Sequence, residues 1–345
     1  MDNKLWIDIQ SQSTNLQAVV EHLYTDERQR LEAAAAFLNN GRPVALIGVA
    51  SAEYLCMPAV NYLNQRGKYA SVLCAAEGVY SMLPALKQAN VIINSRSGET
   101  AEIVKLGQAL KAQGIPFVAI TNEPESTIAR LADHIVWANT RKDELVSINV
   151  VTGMMVTTLA LAAAMVGELD LLRPQFESLV RAMSSVVQRA SQQAADISKL
   201  FQGVRPIYLL YRGASSGAAF CGRLVLEEVA RQPAIAMGAA EFRQGPNEVI
   251  DGQFGAVLFV PAGIQGELNQ KLAADIQRSG GRVMLVGQLG EPVTGQPTEL
   301  IFPIPALPDF LSPVLEVVPV QVLAYELAKP RVISQARCAT YTKLY

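Results

Sequence analysis

Two long stretches of this chain repeat the same alternation of short apolar runs and helical segments. That repetition limits the fold more than any other feature. In the first stretch, Pro43-Val44-Ala45-Leu46-Ile47-Gly48, Tyr69-Ala70-Ser71-Val72-Leu73, Val91-Ile92-Ile93-Asn94, Phe117-Val118-Ala119-Ile120 and His134-Ile135-Val136-Trp137 read as strands separated by helices. In the second, runs at 206–211, 256–260 and 282–286 do the same, with helical patterns near 171–200 and over 266–279. Strands alternating with helices build a parallel sheet covered on both faces. The expected class is α/β, in two copies, one near 35–165 and one near 190–330.

Composition permits this. At 345 residues the chain has room for two domains, and with half of it hydrophobic and 17% charged it can fill two cores. A net charge of -2 without a dense Lys/Arg block gives no sign of nucleic-acid affinity. Cys56, Cys74, Cys221 and Cys338 have no metal-ligand spacing and suit a reducing compartment. The opening Met-Asp-Asn-Lys-Leu-Trp lacks the shape of a signal peptide, so a cytoplasmic protein is expected. Residues 150–166 are almost wholly apolar, but they are short for a membrane span and include Thr152, Gly153, Thr157 and Thr158. They read as a helix buried in the chain or at a subunit interface.

The most informative turn is Ser95-Arg96-Ser97-Gly98-Glu99-Thr100, between a strand and a helix carrying Ile103, Leu106 and Leu110. The first N–H groups of a helix lack partners, and the dipole is positive there, so hydroxyls at such a turn make an anion cradle. Each hydrogen bond to a charged phosphate contributes roughly 1.5–3 kcal/mol. The competing reading is a Ser N-cap with Glu99 completing a capping box. A cap uses one hydroxyl, and this turn carries three. The second copy has Pro261-Ala262-Gly263-Ile264-Gln265-Gly266-Glu267 in the corresponding place.

With these residues in view, the chain resembles the sugar isomerase (SIS) family. The supporting segments are Ala119-Ile120-Thr121-Asn122, Ser126-Thr127-Ile128-Ala129, Glu144-Leu145-Val146-Ser147 and Glu241-Phe242-Arg243-Gln244-Gly245-Pro246. Similarity is strongest to the isomerase domain of glucosamine-6-phosphate synthase and to fructosamine-phosphate deglycases. The resemblance implies two tandem SIS-type three-layer αβα domains with parallel, flavodoxin-like sheets. Their bounds would be 35–170 and 190–330, with a helical segment over 1–34 and a tail over 331–345 that covers the active site. It implies a sugar 6-phosphate held by Ser95, Ser97 and Thr100, with Ser51 and Ser147 lining the pocket and Arg96 within reach. It also implies a homodimer, expected here to bury the 150–166 helix, and no cofactor.

For chemistry, the resemblance puts a base at Glu228, which moves a proton between C1 and C2. It puts a ring-opening histidine in the pattern Glu-x-x-His-Gly-Pro, where this chain has Gln244. Glutamine cannot accept and return a proton, and general acid–base help is worth about 10²–10⁴ in rate. The only histidines, His22 and His134, lie outside the family motifs and read as structural. The family's Schiff-base lysine falls at Gln335 here, with Lys343 as the candidate substitute. Glu241 could orient Arg243 or a sugar hydroxyl, and Arg243 could bind a substrate carboxylate or phosphate bidentately. Glu227 and Glu228, about 100° apart on a helix, cannot both face one pocket.

No Walker A sequence, Gly-x-Gly-x-x-Gly turn or Cys/His metal spacing occurs. No glutaminase domain is evident, so glutamine-dependent synthesis is not expected. Two functions remain open. One is an enzyme that isomerises, deaminates or deglycates an amino-sugar-type phosphate. The other is a phosphosugar-binding protein without catalysis. A DNA-binding regulator is disfavoured, because the first 40 residues are too few and too weakly basic.

Overall fold

The computed structural model describes residues 4–289 and 299–329. In chain order the elements are α1 (Lys4–Tyr24), α2 (Arg28–Leu38), β1 (Val44–Gly48), α3 (Ser51–Tyr54), α4 (Met57–Gln65), β2 (Ala70–Cys74) and α5 (Ala75–Glu77). After a π-helical turn at Gly78–Met82 come α6 (Leu83–Leu86), β3 (Asn90–Ser95), α7 (Ala101–Ala112), β4 (Phe117–Thr121), α8 (Thr127–Leu131), β5 (His134–Trp137), α9 (Asn149–Met165) and α10 (Leu169–Gln192). Then follow α11 (Ala194–Leu200), β6 (Ile207–Tyr211), a 3-10 turn at Gly213–Ser215, α12 (Ser216–Val229), β7 (Ala234–Gly238) and α13 (Ala239–Phe242). A second 3-10 turn at Pro246–Val249 leads to β8 (Gly255–Val260), α14 (Ile264–Arg278), β9 (Arg282–Gly287), β10 (Glu299–Pro303) and α15 (Ser312–Ala328).

The described residues divide into two compact units. One comprises Ser11–Asp143 and Ser147–Val180, and the other takes the remainder, including the first residues of α1. Each unit holds one five-stranded parallel sheet. The orders are β2-β1-β3-β4-β5 and β10-β9-β8-β6-β7. Numbered within its own copy, each reads 2-1-3-4-5, the flavodoxin-like order. The α/β class and the duplication are therefore both present.

The strands form because they bury both faces. In the first sheet Ala45, Ile47, Val91, Ile93, Phe117 and Ala119 pack with Ile103, Leu106 and Leu110 of α7. The alternate residues Leu46, Ile92, Val118 and Ile120 are buried as well. Continuous apolar runs are what a doubly covered parallel sheet requires. In the second sheet Leu210, Leu258, Val283 and Leu285 pack with Phe242, Phe254 and Ile276. There the Tyr208, Phe242 and Phe254 rings lie 5.0–5.7 Å apart.

Helix α9 is buried along nearly its whole length within its own unit, where it packs on α2, α4 and β4. Its hydroxyls tolerate this because they bond back to the helix, Thr157 to Gly153 O at 3.0 Å and Thr158 to Met154 O at 2.7 Å. The expectation that a dimer buries this helix is thus corrected, since a single chain already does so. No helix among the described residues is long and apolar enough to cross a membrane. His22 and His134 are structural: His22 bonds to Trp137 O, and the His134 ring lies 4.8 Å from that of Phe37.

Candidate functional site

In a 2-1-3-4-5 sheet the strand order reverses between the first and third strands, and the crevice at their carboxyl ends is where such folds bind ligands. In the first sheet these are β1 and β3, paired with Val44 beside Asn90 and Ile47 beside Ile93. Their two turns carry Ser51 and the Ser95–Thr100 run. Behind β1 the chain turns sharply. Ala50 has φ of 51°, and a Cβ on Gly48 would stand 2.3 Å from the Ala52 carbonyl carbon, so only glycine admits so close a return.

The six-residue turn divides its labour. Ser95 is buried, and its Oγ accepts from Gly98 N at 3.1 Å, which closes the loop. Gly98 has φ of +63°, and a Cβ there would lie 2.1 Å from Ser126 Oγ. Glu99 does not complete a capping box on α7. Its carboxylate accepts from Thr127 N at 2.6 Å and so caps α8. That bond, with lesser help from Thr127 Oγ1 and Arg130, holds the Glu99 pKa below the ordinary carboxylate range. Thr100 is the N-cap of α7 and makes no side-chain cap bond. The start of α7 therefore presents N–H groups without a side-chain cap. Beside it stand the half-buried hydroxyls of Ser97, which among the described residues accepts only from Glu99 N, at 3.3 Å, and Thr100. Arg96 is exposed, and its carbonyl accepts from Asn122 N at 3.1 Å.

Ser147 lies in the same unit, half-buried just before α9. The start of α9 is held by Asp143, whose carboxylate accepts from Ile148, Asn149 and Val150 N at 2.8–3.0 Å. Sequence reasoning passed over this residue, although an aspartate shortly before an apolar helix is an ordinary N-terminal signal.

Glu228, Glu241, Arg243 and Gln244 all belong to the other unit. Glu228 is exposed near the end of α12. Nevertheless, crowding strips enough water from its carboxyl, with the Glu227 charge adding, to raise its pKa above the usual carboxylate value. Glu227 turns instead toward Arg223, at 3.6 Å. Glu241 is exposed on α13, and its charge adds to burial in raising the Tyr211 pKa. Sequence reasoning did not single out Tyr211, which ends β6 opposite Gly238. Arg243 is engaged by Asp275 at 2.6 Å, and Arg278 shares that carboxylate, so Glu241 is not its partner. Gln244 is exposed, with its N–H on Glu241 O at 2.8 Å. Lys343 and the tail lie outside the described residues.

The SIS domain family matches residues 37–164, which span β1 to α9 and include the serine-rich turn. This stretch of the chain is a SIS domain. A relative from Brucella abortus named glutamine--fructose-6-phosphate aminotransferase [isomerizing] is 30% identical over 74% of the chain and 43% of its own length. The match thus spans 40–52% of the length of curated relatives of this kind. Among solved structures, the C-terminal domain of glucosamine-fructose-6-phosphate aminotransferase from Francisella tularensis superposes with a TM-score of 0.82 at 18% identity, over 95% of this chain and 96% of that one. Glucosamine-6-phosphate deaminase from Thermotoga maritima gives 0.77 at 19%, over 96% of each. At these identities the structural likeness establishes the fold.

Proposed function

We propose that this SIS protein binds a sugar 6-phosphate at the Ser95–Thr100 turn and catalyses isomerisation, deamination or deglycation of an amino-sugar-type phosphate. The observation that carries the reading is the side-chain-uncapped start of α7, flanked by Ser97 and Thr100 while Glu99 is committed to α8. A phosphate there would meet oriented N–H donors, hydroxyls and the positive end of a 12-residue helix. The relatives' names, which concern hexose 6-phosphates and their amino derivatives, support the ligand class.

Glu228 is the base in this reading, and the loss of water around its carboxyl, with the Glu227 charge adding, makes it more basic than an ordinary carboxylate. Ser51 and Ser147 line the pocket, and the protein works as a cytoplasmic homodimer without a cofactor. The second reading, a phosphosugar-binding protein without catalysis, is favoured by one observation. Gln244 stands where the family pattern has its ring-opening histidine.

Proton NMR in D₂O separates the two. The protein is incubated with hexose 6-phosphates, amino-sugar 6-phosphates and phosphorylated fructosamines. Loss of a C1 or C2 proton signal, or a new sugar, is expected and identifies the substrate. Line broadening without exchange would leave the cradle as a binder and retire the enzyme reading.

A further inference from the structure

A cavity of about 680 Å³ opens in the unit of the second sheet, bordered by Ser198, Lys199, Gln202, Arg205, Gln232 and Glu326. Its volume lies within the roughly 300–1,000 Å³ typical of small-ligand sites. Arg205 and Gln232 immediately precede β6 and β7, so the cavity is at the amino-terminal edge of the strands. Tyr211 and Glu241 belong to the opposite, carboxyl edge of that sheet.

The charge on its walls is unbalanced. Lys199 and Arg205 are exposed and make no ion pair among the described residues. The one carboxylate, Glu326, is neutralised by Lys329 at 2.5 Å. The carbonyls that end α11 do not offset the cations either, because Arg282 donates to Leu200 O and Gln202 O at 3.2 and 2.8 Å. Gln232 is buried and spends its amide on Val204 O at 2.9 Å, so it adds no free donor or charge to the cavity wall. Residues 330–345 hold Arg331, Arg337 and Lys343 and no Asp or Glu, so their side chains bring no carboxylate for these cations.

We propose that this cavity is a ligand site separate from the serine-rich turn, and that it takes a small polyanion of the phosphate class held by Lys199 and Arg205. Two cations, one of them a planar guanidinium, suit phosphate oxygens.

The test is a calorimetric titration of the full chain with inorganic pyrophosphate in the Ser97→Ala/Thr100→Ala background, which weakens binding at the cradle. One saturable equivalent is expected, weakened by added salt. Adding Lys199→Ala and Arg205→Ala should lower affinity by about tenfold or more with the melting temperature unchanged, since both side chains are exposed and unpaired. Absence of saturable binding in the cradle variant, or equal binding after both cations are removed, would overturn the proposal. Neither result bears on the cradle, which is measured separately with sugar phosphate on the unaltered chain.

Discussion

At the point where strand order reverses, the two sheets look alike in backbone and opposite in filling. In the first, the turn after β3 keeps two half-buried hydroxyls beside a helix start without a side-chain cap. In the second, the turns after β6 and β8 are occupied by the chain itself. Gln265 lies so close to Gly213 that a Cβ there would meet its Oε1 at 2.3 Å. Arg212 donates to Asn269 Oδ1 at 2.9 Å, and Asn269 donates to Phe259 O at 2.7 Å. One backbone plan has thus yielded an open crevice and a self-filled one. Function follows the residues grafted onto the turn and not the sheet that carries it.

The change that should break this comparison most completely is Gly98→Ala. The new methyl enters at a positive φ and at 2.1 Å from Ser126 Oγ, so the turn must move. A loss on the order of 1–3 kcal/mol is expected, together with loss of sugar-phosphate binding, read by thermal melting and calorimetry. Ser97→Ala with Thr100→Ala comes next. It leaves the backbone in place and removes two donors, each worth roughly 1.5–3 kcal/mol toward a charged oxygen. Affinity should fall at least tenfold with the melting temperature held. Unchanged affinity in this pair would make the turn a helix start and nothing more.

Why these positions were legible in sequence, and others were not, has a physical basis. The central strands could be read because burial on both faces demands unbroken apolar runs such as Val91-Ile92-Ile93. The serine-rich turn could be read because its donors are local to six residues. Strands β7 and β10, which went unassigned, lie at sheet edges and are apolar but weak strand signals: Ala234–Gly238 is mostly Ala and Gly, and Glu299–Pro303 is a three-residue apolar run that stops at proline. Helix α15 was hidden by Pro313 and Pro319, although one sits in its first turn and the helix forms around the other. Roles set by distant partners left no trace at all. Glu99 serves α8, Arg243 is held by Asp275, and the pair formed by Ser215 and Glu316 joins residues 101 positions apart.

That last pair gives a pH test specific to the self-filled crevice. Glu316 is fully buried, its Oε1 accepts from Ser215 Oγ at 3.1 Å, and its Oε2 has no hydrogen-bond partner among the described residues. Burial, more than the charge of Asp309, pushes its pKa up to about 8 from an ordinary 4.5, against the opposing Ser215 bond. The folded state therefore holds a proton that the unfolded chain releases above about pH 4.5. Stability should fall as pH rises from there to about 8, by up to about 1.4 kcal/mol per pH unit, and level off beyond. Glu316→Gln keeps an acceptor for Ser215 and removes the titration, so its melting temperature should be flatter across that window. Parallel curves for the two proteins would mean that Glu316 is already ionised at neutral pH.

The smallest effect is expected from Gln265→Ala, and it sharpens the contrast most. This residue fills the second crevice, so its loss asks whether filling alone distinguishes the two copies. The turn beneath it, Pro261-Ala262-Gly263, has no hydroxyl to offer, and the N-cap of α14 is Gly263, with φ of 79° and no side chain. Removing a half-buried amide that makes no hydrogen bond among the described residues should change stability by no more than roughly 0.5 kcal/mol. Sugar-phosphate affinity at the first crevice should not move, and no second equivalent should appear in calorimetry. A second equivalent would show that helix N–H groups suffice once space is cleared, and the hydroxyls of Ser97 and Thr100 would then account for affinity but not for the choice of site.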